Sequence, residues 1–257
     1  MKYYEIVCSV GVIGVCSEDV LLHNATEDDV KSFGEITKEQ LFMCYEYIFD
    51  AMQIAADFKK TMDDLGMKIV SAHCDHIKDF ERKAAEAGEI GMKYLICPWV
   101  GPQKSIDDFK KFADQFNHCG EIAKKNGIRF AYHNHDYSFA AMNGIVPQDV
   151  MIQSTNPATV DFEMDMYWTV AAGVDPIAYM KKFPNRFKLV HVKDMAKTAK
   201  GHESCVVGKG TIDYKNILPQ AHQQGVNYFI VEQEEYTGTN ELDAAKADAS
   251  YLKTLNW

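Results

Sequence analysis

The sequence has no excess of positive charge and no apolar run long enough to cross a membrane. It carries 27 lysines and arginines against 37 aspartates and glutamates, a formal net charge of -10. Nucleic acids and anionic membranes attract basic surfaces, so this balance argues against both as partners. Met1 leads straight into a strand-like segment without the pattern of a signal peptide. We therefore expect a cytoplasmic protein.

The seven cysteines lack both CxxC and zinc-ribbon spacing. An odd number of thiols without such a pattern is typical of a reducing compartment, and we expect most of them to be buried and free. The sequence also lacks internal repeats, low-complexity tracts and any long linker. A chain of 257 residues is about the size of one (β/α)₈ barrel. We predict a single domain over residues 1–257.

What the sequence does contain is an alternation of short β-rich apolar runs with helical patterns, which is typical of βα units around a parallel sheet. The predicted strands are Lys2–Cys8, Lys68–His73, Tyr94–Val100, Arg129–His135, Thr159–Asp165, Lys188–Lys193 and Tyr228–Glu234. The predicted helices include Ala51–Leu65, Phe80–Ala87, Ile106–Lys125, Pro176–Lys182 and Tyr214–Gln223. Glycines at 66, 127 and 225 follow three of these helices, where a left-handed cap is expected.

This alternation predicts an α/β fold, a (β/α)₈ TIM barrel, although it supplies only seven strands. Either Gly11–Cys16 contributes the eighth, or the first βα unit is missing or altered. The second explanation is favoured because Met1–Glu5 already reads like the middle of a barrel. The stretch Ser17–Phe49 is longer than a usual βα connection and predicts a lid or an extra helical pair.

Polar side chains cluster at the ends of four successive predicted strands. Side chains of one parity share a face of a strand. The pairs on shared faces are His133 with His135, Glu163 with Asp165, His191 with Lys193, and Glu232 with Glu234. In a TIM barrel these ends open on the catalytic face, and imidazoles and carboxylates from different strands are the ligands that a divalent metal needs. A single strand-end histidine or acid is more often structural, but the joint pattern predicts a site.

Five sequence blocks carry a family resemblance. They are Tyr132–Asp136, Glu163–Trp168, His191–Met195, Gly208–Tyr214 and Val231–Glu234. Together they resemble the xylose isomerase-like sugar phosphate isomerase/epimerase superfamily over Lys68–Trp257. The resemblance implies a TIM-barrel enzyme with a small carbohydrate substrate and one divalent metal ion, Mn²⁺, Mg²⁺, Co²⁺ or Zn²⁺. It also implies a possible homo-oligomer, because such barrels often form dimers or tetramers.

The resemblance further implies a ligand set. Family members hold the ion through Glu, Asp, His and Glu on four strands. Asp165, His191 and Glu232 match three of these positions, and the first, commonly Glu, falls on His133. We therefore expect the metal ligands His133, Asp165, His191 and Glu232, with His133 and His135 as alternatives for the roles of ligand and base.

Catalytic roles carried over from the resemblance fall on His135, Lys193 and Glu232, with Lys193 stabilising an enolate or a hydroxyl. Trp168 offers a sugar ring an apolar plane, and we place His73 at the mouth as a second substrate-binding residue. The Gly208–Asp213 turn resembles a family loop that positions the strand-end network. It lacks the spacing of a phosphate-binding P-loop, and we do not infer a phosphorylated substrate from the family name.

The predicted function is isomerisation or epimerisation of a sugar or keto-sugar by proton abstraction next to a carbonyl, through an enediolate. The same first step serves a lyase or dehydratase acting on a keto-sugar, keto-glycoside or keto-inositol. A non-catalytic sugar-binding barrel is a third alternative, favoured by the incomplete strand count and by His133. A repair enzyme similar to endonuclease IV is disfavoured by the acidic charge.

Overall fold

A computed structural model describes residues 6–10, 59–60, 63–64, 68–199 and 201–255. Residues 59–60 and 63–64 are helical and fall within the predicted helix Ala51–Leu65. The possible strand Gly11–Cys16, the stretch Ser17–Phe49 and the glycine cap at residue 66 lie outside the described residues. None of the helices in the described part combines the length and apolarity needed to span a membrane.

Seven parallel strands form the main sheet, and two further strands form an antiparallel hairpin. The strands are β1 (Ile6–Val10), β2 (Ser71–His73), β3 (Tyr94–Cys97), β4 (Arg129–His133), β5 (Val160–Asp165), β6 (Phe187–Val192), β7 (Asp194–Thr198), β8 (Gly201–Cys205) and β9 (Tyr228–Gln233). Their order in the main sheet is β1-β9-β6-β5-β4-β3-β2, and β7 pairs with β8 in the hairpin. Each predicted strand overlaps an observed one, which confirms the parallel βα architecture.

The pairing of β1 with β9 joins the first and last strands of the sheet, as in a closed barrel. The place left for an eighth strand therefore lies between β1 and β2, within residues 11–70. Most of those residues lie outside the described part of the chain. The expectation that the first βα unit is missing or altered therefore stays a prediction.

Seven helices and one 3₁₀ helix connect the described strands. They are α1 (Phe80–Glu89), α2 (Ile106–Lys125), the 3₁₀ helix Asp136–Phe139, α3 (Pro147–Ser154), α4 (Met166–Ala171), α5 (Pro176–Lys182), α6 (Tyr214–Gln223) and α7 (Glu241–Lys253). Helices α2, α5 and α6 have the predicted bounds. The Ser105 side chain accepts the Asp108 N–H and thereby caps α2. Gly127 (φ +75°) and Gly225 (φ +94°) adopt the left-handed conformation, which confirms two of the predicted caps.

The sheet separates two apolar clusters. The larger one lies between the strands and the helices and includes Phe116, Phe130 and Phe162. The smaller one contains Val70, Tyr94, Ile96, Ala131, Leu189 and Ile230. On β4, β6 and β9 its members share strand parity with His133, His191 and Glu232, so it forms an apolar floor beneath the polar strand ends.

Cysteine burial follows the sequence prediction. Among the cysteines whose side chains are described, Cys74, Cys97 and Cys119 are buried and Cys205 is half-buried. Burial raises the pKa of Cys97 and Cys119, so these thiols stay protonated and unreactive at neutral pH.

Candidate metal centre and active site

Three of the predicted metal ligands converge at the carboxyl ends of β4, β5 and β6. One ligand atom each from His133, Asp165 and His191 lies within 4.8 Å of the others. Oδ2 of Asp165 is 3.5 Å from Nε2 of His133 and 3.8 Å from Nδ1 of His191. All three side chains are buried. The geometry therefore assembles residues that are separated by 26 to 58 positions in the sequence.

The fourth predicted ligand, Glu232, adjoins this group from β9. Its Oε2 lies 3.2 Å from Nδ1 of His191 and 3.2 Å from Nζ of Lys193. Burial disfavours the charged carboxylate, but the neighbouring His191 and Lys193 outweigh burial and hold the pKa of Glu232 well below its usual range. Glu232 is therefore an anionic oxygen donor beside the other three.

Unpartnered buried atoms show that these residues fit a divalent cation. Oδ1 of Asp165 accepts the Trp168 N–H at 2.9 Å and caps α4. Its Oδ2 and Nε2 of His133 are buried without a hydrogen-bond partner among the described residues. Native proteins rarely leave such atoms unsatisfied. Two imidazoles with two carboxylates are a donor set that suits Zn²⁺, Co²⁺ or Mn²⁺.

Glu163 is a buried site residue to which the sequence analysis gave no role. Its Oε2 lies 2.9 Å from Nε2 of His73 and 3.3 Å from Nε2 of His191. These three residues form a second group with metal-ligand spacing, and His191 belongs to both groups. When Nε2 of His191 carries the proton and faces Glu163, the lone pair of Nδ1 faces Asp165 and Glu232. The parity that Glu163 shares with Asp165 was the available signal.

Lys193 is a buried cation at the edge of the cluster. Its Nζ pairs with Glu232 and Glu234 and lies 5.1 Å and 5.3 Å from the ring centres of Tyr167 and Trp168. Burial would lower the pKa of Lys193, but the neighbouring carboxylates outweigh burial and raise the pKa above its ordinary value. The side chain therefore remains an ammonium ion throughout the physiological range.

His135 lies among aromatic rings, beside the four expected ligands His133, Asp165, His191 and Glu232, which we call the metal-ligand group. Its ring centre is 4.9 Å from His133, 5.5 Å from Trp168 and 4.5 Å from Trp99. Burial, with the added effect of His133 and Lys193, lowers the pKa of His135 to about 2. Its imidazole is therefore neutral. Trp99 was absent from the predicted site residues, and nothing in its sequence context beyond its place after β3 distinguishes it.

His73 lies deeper than a residue at the rim. Its ring centre is 5.2 Å from His133 and 5.4 Å from His191. With its contact to Glu163, this position makes it a neighbour of the metal-ligand group. Its contact with substrate stays a prediction, as does the sugar-binding role of Trp168.

Asp194 organises the loop that follows the hairpin. Oδ1 accepts the N–H groups of Met195 and Ile212, and Oδ2 accepts those of Gly208 and Gly210, at 2.7 to 3.1 Å. A Cβ at Gly210 would lie 2.2 Å from Oδ1 of Asp194, so this position admits only glycine. The amides of this glycine-rich loop therefore bind a carboxylate of the chain itself.

The same loop leads into α6, which supports Lys193. Tyr214, the first residue of α6, donates its hydroxyl to the backbone oxygen of Lys193 at 2.7 Å. This contact fixes the strand end from which the ammonium group extends. It supports the prediction that the turn positions the strand-end network.

Comparison with a curated protein links the chain to a dehydratase. Inosose dehydratase 1 of Bacillus cereus is 29% identical over 186 residues, which cover 63% of this chain and 61% of the relative. The chain thus spans about three-fifths of the length of this relative.

Solved structures show the same fold. A sugar phosphate isomerase/epimerase from Parabacteroides distasonis is 26% identical with a TM-score of 0.77, and the match covers 97% of this chain and 98% of that protein. The IOLI protein, whose crystal structure contains a zinc atom, is 15% identical with a TM-score of 0.72 and 98% coverage of each chain. At this level of identity the second similarity establishes the fold alone.

The relatives are named as enzymes, which agrees with the predicted enzyme. The family model for xylose isomerase-like TIM barrels matches residues 35–255. This range includes every residue of the metal-ligand group and the mouth around it. The chain belongs to the xylose isomerase-like TIM barrel family.

Proposed function

We propose that this protein is a metal-dependent enzyme that removes the proton next to the carbonyl of a sugar or keto-sugar and thereby isomerises or epimerises it. The observation that carries the proposal is the group of buried His133, Asp165 and His191 beside the partly buried Glu232 and the cation of Lys193. In this group Oδ2 of Asp165 and Nε2 of His133 have no hydrogen-bond partner among the described residues. Soluble proteins rarely bury so many charges unless they serve a ligand.

His133, Asp165, His191 and Glu232 would hold the ion, which would supply Lewis-acid polarisation of the carbonyl and so acidify the neighbouring C–H group. Lys193 contributes a fixed positive charge at the same end of the barrel. Because its pKa is raised, it stabilises negative charge on the substrate oxygen without giving up its own proton. Tyr214 and the carboxylates of Glu232 and Glu234 hold this ammonium group in place.

His135 is the proposed proton acceptor. Its imidazole is neutral, its Nδ1 is buried without a hydrogen-bond partner among the described residues, and the rings of Tyr137 and Trp168 flank it. Return of the proton to the opposite face gives an epimer, and return to the neighbouring carbon gives an isomer. In this proposal the exposed part of Trp168 supports the apolar face of the sugar, and His73 completes the inner wall.

Dehydration is the second candidate, and the similarity to an inosose dehydratase favours it. The first step is the same removal of a proton next to the carbonyl. The β-hydroxyl group then leaves, and His135 returns the proton to that hydroxyl as water forms. This route needs one proton-carrying group, whereas epimerisation also needs a donor on the opposite face.

Elemental analysis of the purified protein, paired with solvent-deuterium exchange followed by NMR on a panel of keto-sugars and keto-inositols, tests the proposal. We expect about one metal ion per chain and deuterium next to the carbonyl. An epimeric or isomeric product identifies the first candidate, and loss of water identifies the second. Absence of exchange after reconstitution with Mn²⁺, Co²⁺ or Zn²⁺ would reject both.

Variants assign the effect to the site. Asp165→Ala and His191→Ala should each lose the bound metal and the exchange activity. Asp114→Ala and His118→Ala are matched controls on the exposed face of α2, and both should behave like the parent protein. If Asp165→Ala and His191→Ala kept metal and full activity, the assigned ligand set would be wrong.

A further inference from the structure

Trp99 presents an aromatic surface beside the candidate active site. Among the described residues, three large apolar side chains are strongly exposed, and Trp99, at 51% exposure, is the one aromatic among them. It follows β3 at the same edge of the sheet as the ends of β4 and β5. A single exposed apolar side chain is common on protein surfaces, so the case for Trp99 rests on its position beside the candidate active site.

The indole contacts the proposed proton acceptor directly. Its ring is 4.5 Å from the His135 ring and 4.7 Å from the Tyr137 ring, edge-on in both cases. His135 is in turn 4.9 Å from His133, a metal-ligand candidate. A single imidazole ring thus links the Trp99 indole to the metal-ligand group.

Hydrogen bonds fix the loop that carries the indole. The N–H groups of Val100 and Gly101 donate to the Tyr137 hydroxyl at 3.3 Å and 3.2 Å. That hydroxyl lies 3.2 Å from the hydroxyl of the fully buried Tyr132. The Gln103 amide donates to the Val100 oxygen at 2.7 Å. The loop thus holds the exposed ring in a preorganised position, which reduces the entropy lost when a ligand binds.

We propose that Trp99 is a stacking subsite for a second sugar ring, so that the substrate is a keto-glycoside in which a keto-sugar is joined to another sugar. The reacting ring lies at the metal-ligand group and Trp168, and the outer ring packs on the exposed indole. Aromatic side chains of this kind combine a large apolar face with a polar edge, which suits a sugar ring. This inference rests on the proposed function, because it places the reacting ring at the metal-ligand group.

The test compares two substrates that share one reacting ring. A disaccharide that carries a ketone on its non-reducing ring is measured against the corresponding keto-monosaccharide, by solvent-deuterium exchange with the metal-loaded protein. Trp99→Ala should lower kcat/KM for the disaccharide about 10-fold, chiefly through KM, and leave the monosaccharide within about 3-fold. Trp99→Phe should retain part of the selectivity. Ile77→Ala, which removes another exposed apolar side chain, should change neither value.

The outcomes separate this subsite from the proposed reaction. An equal loss on both substrates would show that Trp99 only supports His135, and an unchanged disaccharide value would also overturn the subsite. Calorimetric titration with the unoxidised disaccharide reports binding without chemistry. If the parent protein binds that disaccharide more tightly than Trp99→Ala does, yet exchanges no deuterium on any ketone, the subsite stands and the proposed reaction fails.

Discussion

Two clusters of buried polar side chains lie on the same pair of strands, and they differ in how fully their atoms are paired. Near the start of β4 and β5, Arg129 donates to both oxygens of Asp161, and the Tyr94 hydroxyl donates to one of them at 3.2 Å. Arg129 also donates to the backbone oxygens of Pro157 and Ala158. This cluster is a closed network around one fully paired carboxylate.

The cluster at the other end of the strands is open. His133, Glu163 and Asp165 each keep a buried side-chain atom that finds no hydrogen-bond partner in the described part of the chain. Strand parity is the same in both clusters, and Asp161 is as buried as Glu163 and Asp165, so neither property of the carboxylates separates structure from function. The two clusters differ in whether every hydrogen-bond donor and acceptor has a partner. An ion pair that supports the fold has all its partners within the protein and needs no ligand.

Removal of the closed carboxylate should produce the largest effect. Asp161→Ala removes the carboxylate partner of Arg129 and should reduce the free energy of unfolding by about 2 kcal/mol. This is less than for a fully buried pair, because Arg129 is partly exposed and keeps its bonds to the Pro157 and Ala158 oxygens. Denaturant unfolding measures this loss. Metal content should not change, because Asp161 does not contact the metal-ligand group. A loss of metal at unchanged stability would show that the two clusters are not separate in function.

Neutralisation of Glu163 should change metal affinity more than stability, the opposite of what we expect for Asp161. Glu163→Gln keeps the shape of the side chain but weakens its hold on His73 and His191, and we expect metal affinity to fall about 10- to 100-fold. Stability should change by less than about 1 kcal/mol, since the buried negative charge is already incompletely paired. Competition with a chelator measures the affinity, with Asp161→Asn as the control. Unchanged affinity would remove Glu163 from the support of His191.

Asp248 gives an intermediate case and the smallest expected effect. This buried carboxylate accepts the Val207 N–H at 2.6 Å, and burial, with a contribution from Asp194, raises its pKa from 3.8 to about 7. The folded state therefore holds this proton more tightly than the unfolded state does. The stabilisation is present below the unfolded pKa and is lost as pH rises through the folded pKa.

Between pH 5 and pH 6 the Asp248 effect should lower the stability of the parent protein by about 1 kcal/mol relative to Asp248→Asn. The variant keeps an oxygen for Val207 but has no proton to lose. Denaturation midpoints at the two pH values provide the measurement. Parallel profiles for the two proteins would contradict the raised pKa.

The fold was largely predictable because its signals are local. Helix α2 has an amphipathic period, the cap of Ser105 at one end and Gly127 beyond the other. The hairpin of β7 and β8 was missed because only three of its ten strand residues are buried, so it has no apolar run of its own. Helix α4 was missed because it begins directly after β5, and its apolar residues read as a continuation of the strand motif.

The candidate site was also predictable in part. Strand parity brought His133, Asp165, His191 and Glu232 to one face, and the structure places them together. Strand parity could not predict the contacts of Glu163, because they depend on the His73 and His191 nitrogens that approach its carboxylate from other strands. Trp99 differs again, because only the three-dimensional packing shows an exposed indole against His135.

The Gly208–Ile212 loop has a consequence for the substrates that this barrel accepts. Its backbone N–H groups form an anion-binding site, and the anion that they bind is the carboxylate of Asp194 in the same chain. A tethered anion has a far higher effective concentration than any free anion, so a phosphate group would compete poorly for these amides. The amides of this loop are therefore already occupied by a carboxylate of the same chain. In the proposed function, recognition at the mouth therefore falls to the metal-ligand group, the ammonium group and the aromatic rings.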